Sequence, residues 1–149
     1  MNSDQSDSVE EPSVLRTDDD GVVTLTLNRP ARFNALSSAM LAALQEALEA
    51  SSTDPACSVI VLAARGRAFC AGHDLREMRA NPAESWQREL FMRCSRLMMT
   101  IAEVPQPVIA AVHGVGTAAG CQLVAACDLA IAGRSASFAT SGINLGLFC

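Results

Sequence analysis

Two glycine-rich segments carry the residues whose types and spacing suit chemistry. The first, Gly66-Arg67-Ala68-Phe69-Cys70-Ala71-Gly72-His73-Asp74-Leu75, follows an apolar run and has small residues where a backbone can approach a ligand closely. The second, His113-Gly114-Val115-Gly116-Thr117-Ala118-Ala119-Gly120-Cys121-Gln122, leads into an apolar helix. Small residues at a helix start leave the first-turn N–H groups unshielded, and the helix dipole favours negative charge in front of them. An acceptor placed there receives backbone hydrogen bonds without a charged side chain, which is the chemistry of an anion or oxyanion site. Taken alone, each segment is equally a turn that packs a helix on a sheet. The second is not a P-loop, because no Gly-Lys-Ser/Thr follows. It matches the dinucleotide pattern in spacing only, with no ribose-binding carboxylate at the expected distance downstream.

The elements that must position these segments alternate between strand and helix. The run Val22 to Asn28 is β-branched, ends at Pro30 and predicts a strand. Ser37 or Ser38 then caps a helix in which Met40, Leu41, Leu44, Ala47 and Leu48 recur at helical spacing, stopped by Asp54-Pro55. Val59 to Leu62 is all apolar and predicts a strand buried on both faces, followed by a loop over residues 65–76. Leu90, Cys94, Leu97, Met98 and Ile101 predict a longer helix over 83–102, with Pro105 and Pro107 at its exit. A third strand over 108–112, a short helix over 117–126 and a fourth strand over 129–132 complete the series. This alternation indicates an α/β protein with crossover connections.

Composition narrows the function classes. At 149 residues the chain fits one domain with a real core, and half of it is apolar. A net charge of −5 with no extended Lys/Arg cluster excludes a nucleic-acid footprint and an anionic membrane surface. No stretch approaches a membrane span. The six cysteines lie mostly in apolar runs, with no CxxC and no zinc-ligand spacing, so they are expected as reduced, buried thiols and no metal site is expected. Residues 1–17 are expected to form a flexible acidic tail and residues 18–149 the core. That tail has neither the apolar region of a secretory signal nor the basic character of a mitochondrial presequence, and a cytoplasmic location is expected.

Together and in this order, several motifs resemble the crotonase (enoyl-CoA hydratase/isomerase) superfamily from about Val22 onward. They are Asn28-Arg29-Pro30, Phe33-Asn34-Ala35-Leu36, the Ala71-Gly72-His73-Asp74-Leu75 element, Pro107 to Gly114, Gly120-Cys121 and Cys127-Asp128-Leu129. The stretch Phe138 to Phe148 is most similar to the enoyl-CoA hydratase domain-containing protein 3 subgroup. The resemblance implies a spiral of ββα units that binds an acyl-CoA thioester and acts in fatty-acid or acyl-CoA metabolism as a lyase or isomerase. It implies no separate cofactor, since coenzyme A enters as part of the substrate. Carried over by motif, the oxyanion-hole donors are the backbone N–H groups of His73 and Ala119. The substrate cradle is formed by Arg32, Ala35, Ala71, Gly72, His73, Asp74 and Leu75, with Asp74 ordering its loop.

The chain departs from the family pattern at both hydratase glutamates, where it has Gln122 and Gly142. An amide orients water but exchanges no proton near neutral pH, and glycine does neither, so hydration is expected to be weak or absent. Replacement acid/base candidates are Glu84, Glu89, the His73 side chain, Ser141 and Asn144. Glu84 and Glu89 also fit a solvated helix face, and His113 fits a structural role. Trp86 and the Met92, Met98 and Met99 group fit packing. The last apolar residues suggest truncation before the family's C-terminal helical trimerisation region, which puts the family's homotrimer or hexamer in doubt. The readings are therefore a thioester enzyme with chemistry other than hydration, a non-catalytic acyl-CoA binding module, or an inactive fragment.

Overall fold

The structure is a computed structural model and describes residues 11–146. Two strands, β1 (Val14–Asp19) and β2 (Val22–Leu27), form an antiparallel hairpin. The expected tail is thereby corrected, because residues 14–17 pair with 24–27, while the acidic residues 1–10 lie outside the described residues. Asp20 and Gly21 turn the hairpin with φ of 43° and 81°, the two positive values that a type I′ turn requires. This Asp-Gly pair was the available sequence signal for β1.

After the hairpin come α1 (Ser38–Ser52), β3 (Val59–Ala64), β4 (Ala68–Cys70), α2 (Leu75–Ala80) and α3 (Glu84–Glu103). They are followed by β5 (Val108–Val112), β6 (Val115–Thr117), α4 (Ala119–Ala126), β7 (Leu129–Ala132) and β8 (Ser137–Ala139). Strands β3, β5 and β7 extend the hairpin into a five-stranded sheet in the order β1-β2-β3-β5-β7, parallel beyond β2. Their successors β4, β6 and β8 build a second, parallel sheet in that order. Each of β3, β5 and β7 therefore hands the chain to a short strand in the other sheet, and helices return it to the first after β4 and after β6. This is the expected spiral of ββα units.

Burial follows the period of each element. In β2 and β3, alternate residues point into the core, with Leu25, Leu27, Ile60 and Leu62 at most 1% exposed. Val59 and Val61 on the other side of β3 are half-buried, so the strand is not buried on both faces as expected. Helices α1 and α3 cover the inward face of β2, β3 and β5. Leu44 and Leu48 of α1 and Leu97 and Ile101 of α3 share one core with these strands. In β7, by contrast, every residue is exposed, Leu129 and Ile131 included.

The start of α1 is fixed by Ser37, whose Oγ accepts from the Met40 N–H at 3.2 Å and from Arg29 Nη1 at 3.1 Å. Replacing Ser37 by Ala removes a satisfied cap. The substitution is expected to cost about 1–2 kcal/mol in urea unfolding, with an unchanged m-value.

Candidate functional site

The expected loop over 65–76 is built as strand, turn and helix cap. Its strand, β4, is fully buried, and Asp74 caps α2 by accepting from the N–H groups of Arg76 and Glu77 at 3.0 and 3.3 Å. Between them Gly72 adopts φ of 86°, a left-handed conformation that costs other residues strain. A Cβ on Gly72 would stand 2.9 Å from Ala118 Cβ and 3.2 Å from the Ala119 nitrogen. The two glycine-rich segments are thus in contact, and glycine at 72 permits that contact.

The backbone in this region leaves two N–H groups without a backbone acceptor among the described residues. Leu36 donates to the Gly72 carbonyl at 2.7 Å and accepts from the Asp74 N–H at 3.3 Å. In such a parallel bridge the central residue, His73, turns its own N–H and C=O away from Leu36. Across the contact, Ala118 donates to the Ala139 carbonyl, while Cys121 and Gln122 donate to the Ala118 carbonyl. Ala119 is the first residue of α4 and has no partner one turn back. Among the described residues, neither the His73 nor the Ala119 N–H has a backbone acceptor.

Both residues line a cavity of about 390 Å³. The loop contributes Ala71, His73 and Leu75, and α3 contributes Phe91, Cys94 and Ser95. The α4 start supplies Ala118, Ala119 and Gln122, and the turn after β8 supplies Ser141, Gly142 and Leu145. The structure therefore brings His73, Ala119, Gln122 and Gly142 around one space, and among the described residues no carboxylate, lysine or arginine lines it. A shallower groove of about 270 Å³ shares Ala71, His73 and Leu75 with this cavity. Arg32, Ala35, Asp74 and Arg76 also line the groove, so every residue expected in the cradle except Gly72 is at its wall. Gly72 lies buried beneath.

The acid/base candidates separate clearly. Glu84 pairs with Arg88 at 2.8 Å and Glu89 with Arg93 at 2.9 Å; both lie on the exposed face of α3, away from the cavity. His113 Nε2 is 2.6 Å from the Gly66 carbonyl, a structural tie. Ser141 Oγ is 2.6 Å from Thr117 Oγ1. Asn144 is exposed and outside the lining, and Trp86 packs half-buried against the core. Only Met98 of the methionine group is buried. Met92 and Met99 are each 55% exposed, which corrects the expectation of a packed trio. Phe91 and Ser95 lie one turn apart on α3, a cavity-facing stripe that the core pattern of Leu90, Cys94 and Leu97 concealed.

Electrostatics in the cavity are those of neutral groups. Burial pushes the Cys94 thiol up to about 11 and the Cys70 thiol behind it up to about 12, so both stay protonated near neutral pH. Burial also lowers the His73 pKa, opposed by the Leu36 backbone and the Glu77 carboxylate, which leaves a neutral imidazole at pH 7. The described cysteines are free, as expected, while Cys149 lies outside the described residues. No described helix is long and apolar enough to cross a membrane.

Comparison with known proteins gives this geometry its relatives. The enoyl-CoA hydratase/isomerase family model matches residues 17–149. The mitochondrial enoyl-CoA hydratase domain-containing protein 3 of Danio rerio is 47% identical over 129 residues, covering 87% of this chain and 45% of the relative. The 1,2-epoxyphenylacetyl-CoA isomerase of Escherichia coli is 40% identical, covering 85% of this chain and 50% of the relative. The crystal structure of an enoyl-CoA hydratase from Mycobacterium smegmatis is 61% identical with a TM-score of 0.90, covering 93% of this chain and 55% of that one. The chain spans about half the length of the relatives it matches. The cytoplasmic expectation does not stand, because vertebrate relatives 47% identical to this chain are named mitochondrial. With its family model, its spiral of ββα units and relatives above 40% identity in agreement, the chain belongs to the enoyl-CoA hydratase/isomerase (crotonase) family.

Proposed function

We propose that the chain binds acyl-CoA thioesters and stabilises enolate character on the thioester oxygen, without efficient hydration. One observation carries this reading. Two backbone N–H groups without described backbone acceptors, from His73 and Ala119, belong to residues lining one cavity whose described walls hold no carboxylate. Preorganised donors in a water-poor site hold a developing oxyanion, and losing one donor typically costs about 2.7–4 kcal/mol of transition-state stabilisation. The groove beside Arg32, Ala35 and Ala71 to Leu75 takes the coenzyme A arm, and Arg32 and Arg76 set positive charge along it. The isomerase named among the relatives supports thioester chemistry other than water addition.

Proton NMR of crotonyl-CoA with the purified chain tests the reading. Ligand resonances are expected to broaden as protein is added, and competition with free coenzyme A is expected to restore them in part. Sharp, unchanged lines at excess protein would overturn it.

A further inference from the structure

The cavity described above lacks both family carboxylates, yet one group in its wall exchanges protons near neutral pH. Cys94 stays a thiol, Ser95, Ser141 and Gln122 do not titrate in this range, and the remaining lining is apolar or backbone. His73 is the exception. Its ring stands edge-on to Phe91 at 5.0 Å between centroids, interplanar angle 75°, which fixes the plane of the imidazole in the wall. Its Nδ1 is buried with no hydrogen-bond partner, an arrangement that ordinarily costs about 1–3 kcal/mol and is rare in a folded protein. Nδ1 is closed to solvent, and Nε2 is the nitrogen assigned to the cavity that His73 lines.

Resting on the thioester reading, we propose that the His73 imidazole is a catalytic base that removes an α-proton from the acyl group whose oxygen its own backbone N–H holds. In this step the α-carbon–hydrogen bond breaks and its proton goes to Nε2. The electron pair moves into the carbon–carbon bond of the enolate, and the thioester oxygen takes the charge between the His73 and Ala119 N–H groups. Reprotonation from the imidazolium reverses the step, so no co-reactant is consumed. One residue thus supplies both the base and a donor for the charge that the base creates.

The groups that face the ring allow this. Glu77 of α2 favours the imidazolium as it forms, and Cys94 of α3 remains neutral. The Asp74 carboxylate is held by the N–H groups of Arg76 and Glu77, and the α4 start and the turn after β8 present no charge to the cavity. Burial favours the neutral ring beforehand, which is the form a base requires.

The test is deuterium incorporation at C2 of butyryl-CoA in D2O, read by mass spectrometry, with affinity measured in parallel. The chain is expected to catalyse exchange with a rate that rises with pH to a midpoint below about 6.5, the ordinary imidazole value. His73→Gln is expected to lower exchange by about 10²-fold or more, with a far smaller change in affinity. Free imidazole is expected to restore part of the exchange to His73→Ala. Binding without exchange, or exchange equal in chain and His73→Gln, would overturn the base while leaving the thioester reading in place. Absence of binding would overturn both. Should the variants fail to unfold cooperatively, a rate that falls as pH rises in the unaltered chain would overturn the base on its own.

Discussion

Gly120→Ala is expected to destabilise the chain by about 3 kcal/mol or more, although alanine is the better helix former. In α4, propensity alone would favour the substitution by about 1 kcal/mol. Packing reverses the sign. A Cβ on Gly120 would fall inside van der Waals contact with the Cys70 carbonyl oxygen, 2.7 Å from the carbonyl carbon and 2.9 Å from Cys70 Cβ. These are atoms of a fully buried strand, and two of them are backbone that cannot rotate away. Helix α4 would have to lift from β4, which separates Ala119 from His73 and opens the cavity. The variant is therefore expected to lose acyl-CoA line broadening together with stability. Gly133→Ala is the control, since its Cβ would meet nothing closer than 3.6 Å, and a change within about 0.5 kcal/mol is expected. Urea unfolding of the two variants measures the difference. Equal midpoints would show that the helix start is not seated on β4 as described.

The second large effect concerns the reaction itself. Hydration of crotonyl-CoA is expected to run at least about 10²–10⁴-fold below an ordinary enzymatic rate, because positioned acid/base groups contribute on that scale. Water addition to an enoyl thioester requires deprotonation of water and protonation of the α-carbon. Gln122 and Gly142 line the cavity at the two positions that the family resemblance assigns to those groups, and neither transfers a proton. Gln122→Glu, nearly isosteric and on an exposed side chain, is expected to raise hydration by about 10²-fold while the chain remains short of its second group. Loss of absorbance of the enoyl thioester follows the rate directly. Efficient hydration by the unaltered chain would disprove the expectation.

Much of the scaffold was legible because it obeys short-range rules. The periods of α1 and α3, the apolar run of β3 and the cap at Ser37 are local statements that burial and hydrogen bonding repeat, whereas the six-residue α2 that Asp74 caps was read as loop. Strand β1 escaped notice because its outer residues are exposed and polar, and its evidence lay in the Asp20-Gly21 turn rather than in its own pattern. Strands β4, β6 and β8 are three residues each, too short for any period to show. The candidate site divides in the same way. Which backbone positions meet was readable from motif order, through resemblance, and the structure puts those positions around one cavity. The α3 wall was not readable, because Phe91 and Ser95 interrupt an otherwise ordinary amphipathic stripe. That the His73 ring is buried against Phe91 was equally out of reach, since the two residues meet only through tertiary packing.

The buried thiols carry a practical consequence. Alkylating reagents react with thiolates, and burial pushes Cys70, Cys94 and Cys127 up to about 12, 11 and 12. At mild alkalinity these sulfurs are nearly inert while the chain is closed and become ordinary once a segment opens. Labelling at Cys70 requires parting of α4 from β4, whereas labelling at Cys94 requires only that its cavity gape. Peptide-resolved alkylation kinetics therefore turn these cysteines into a built-in gauge of which part of the molecule breathes first.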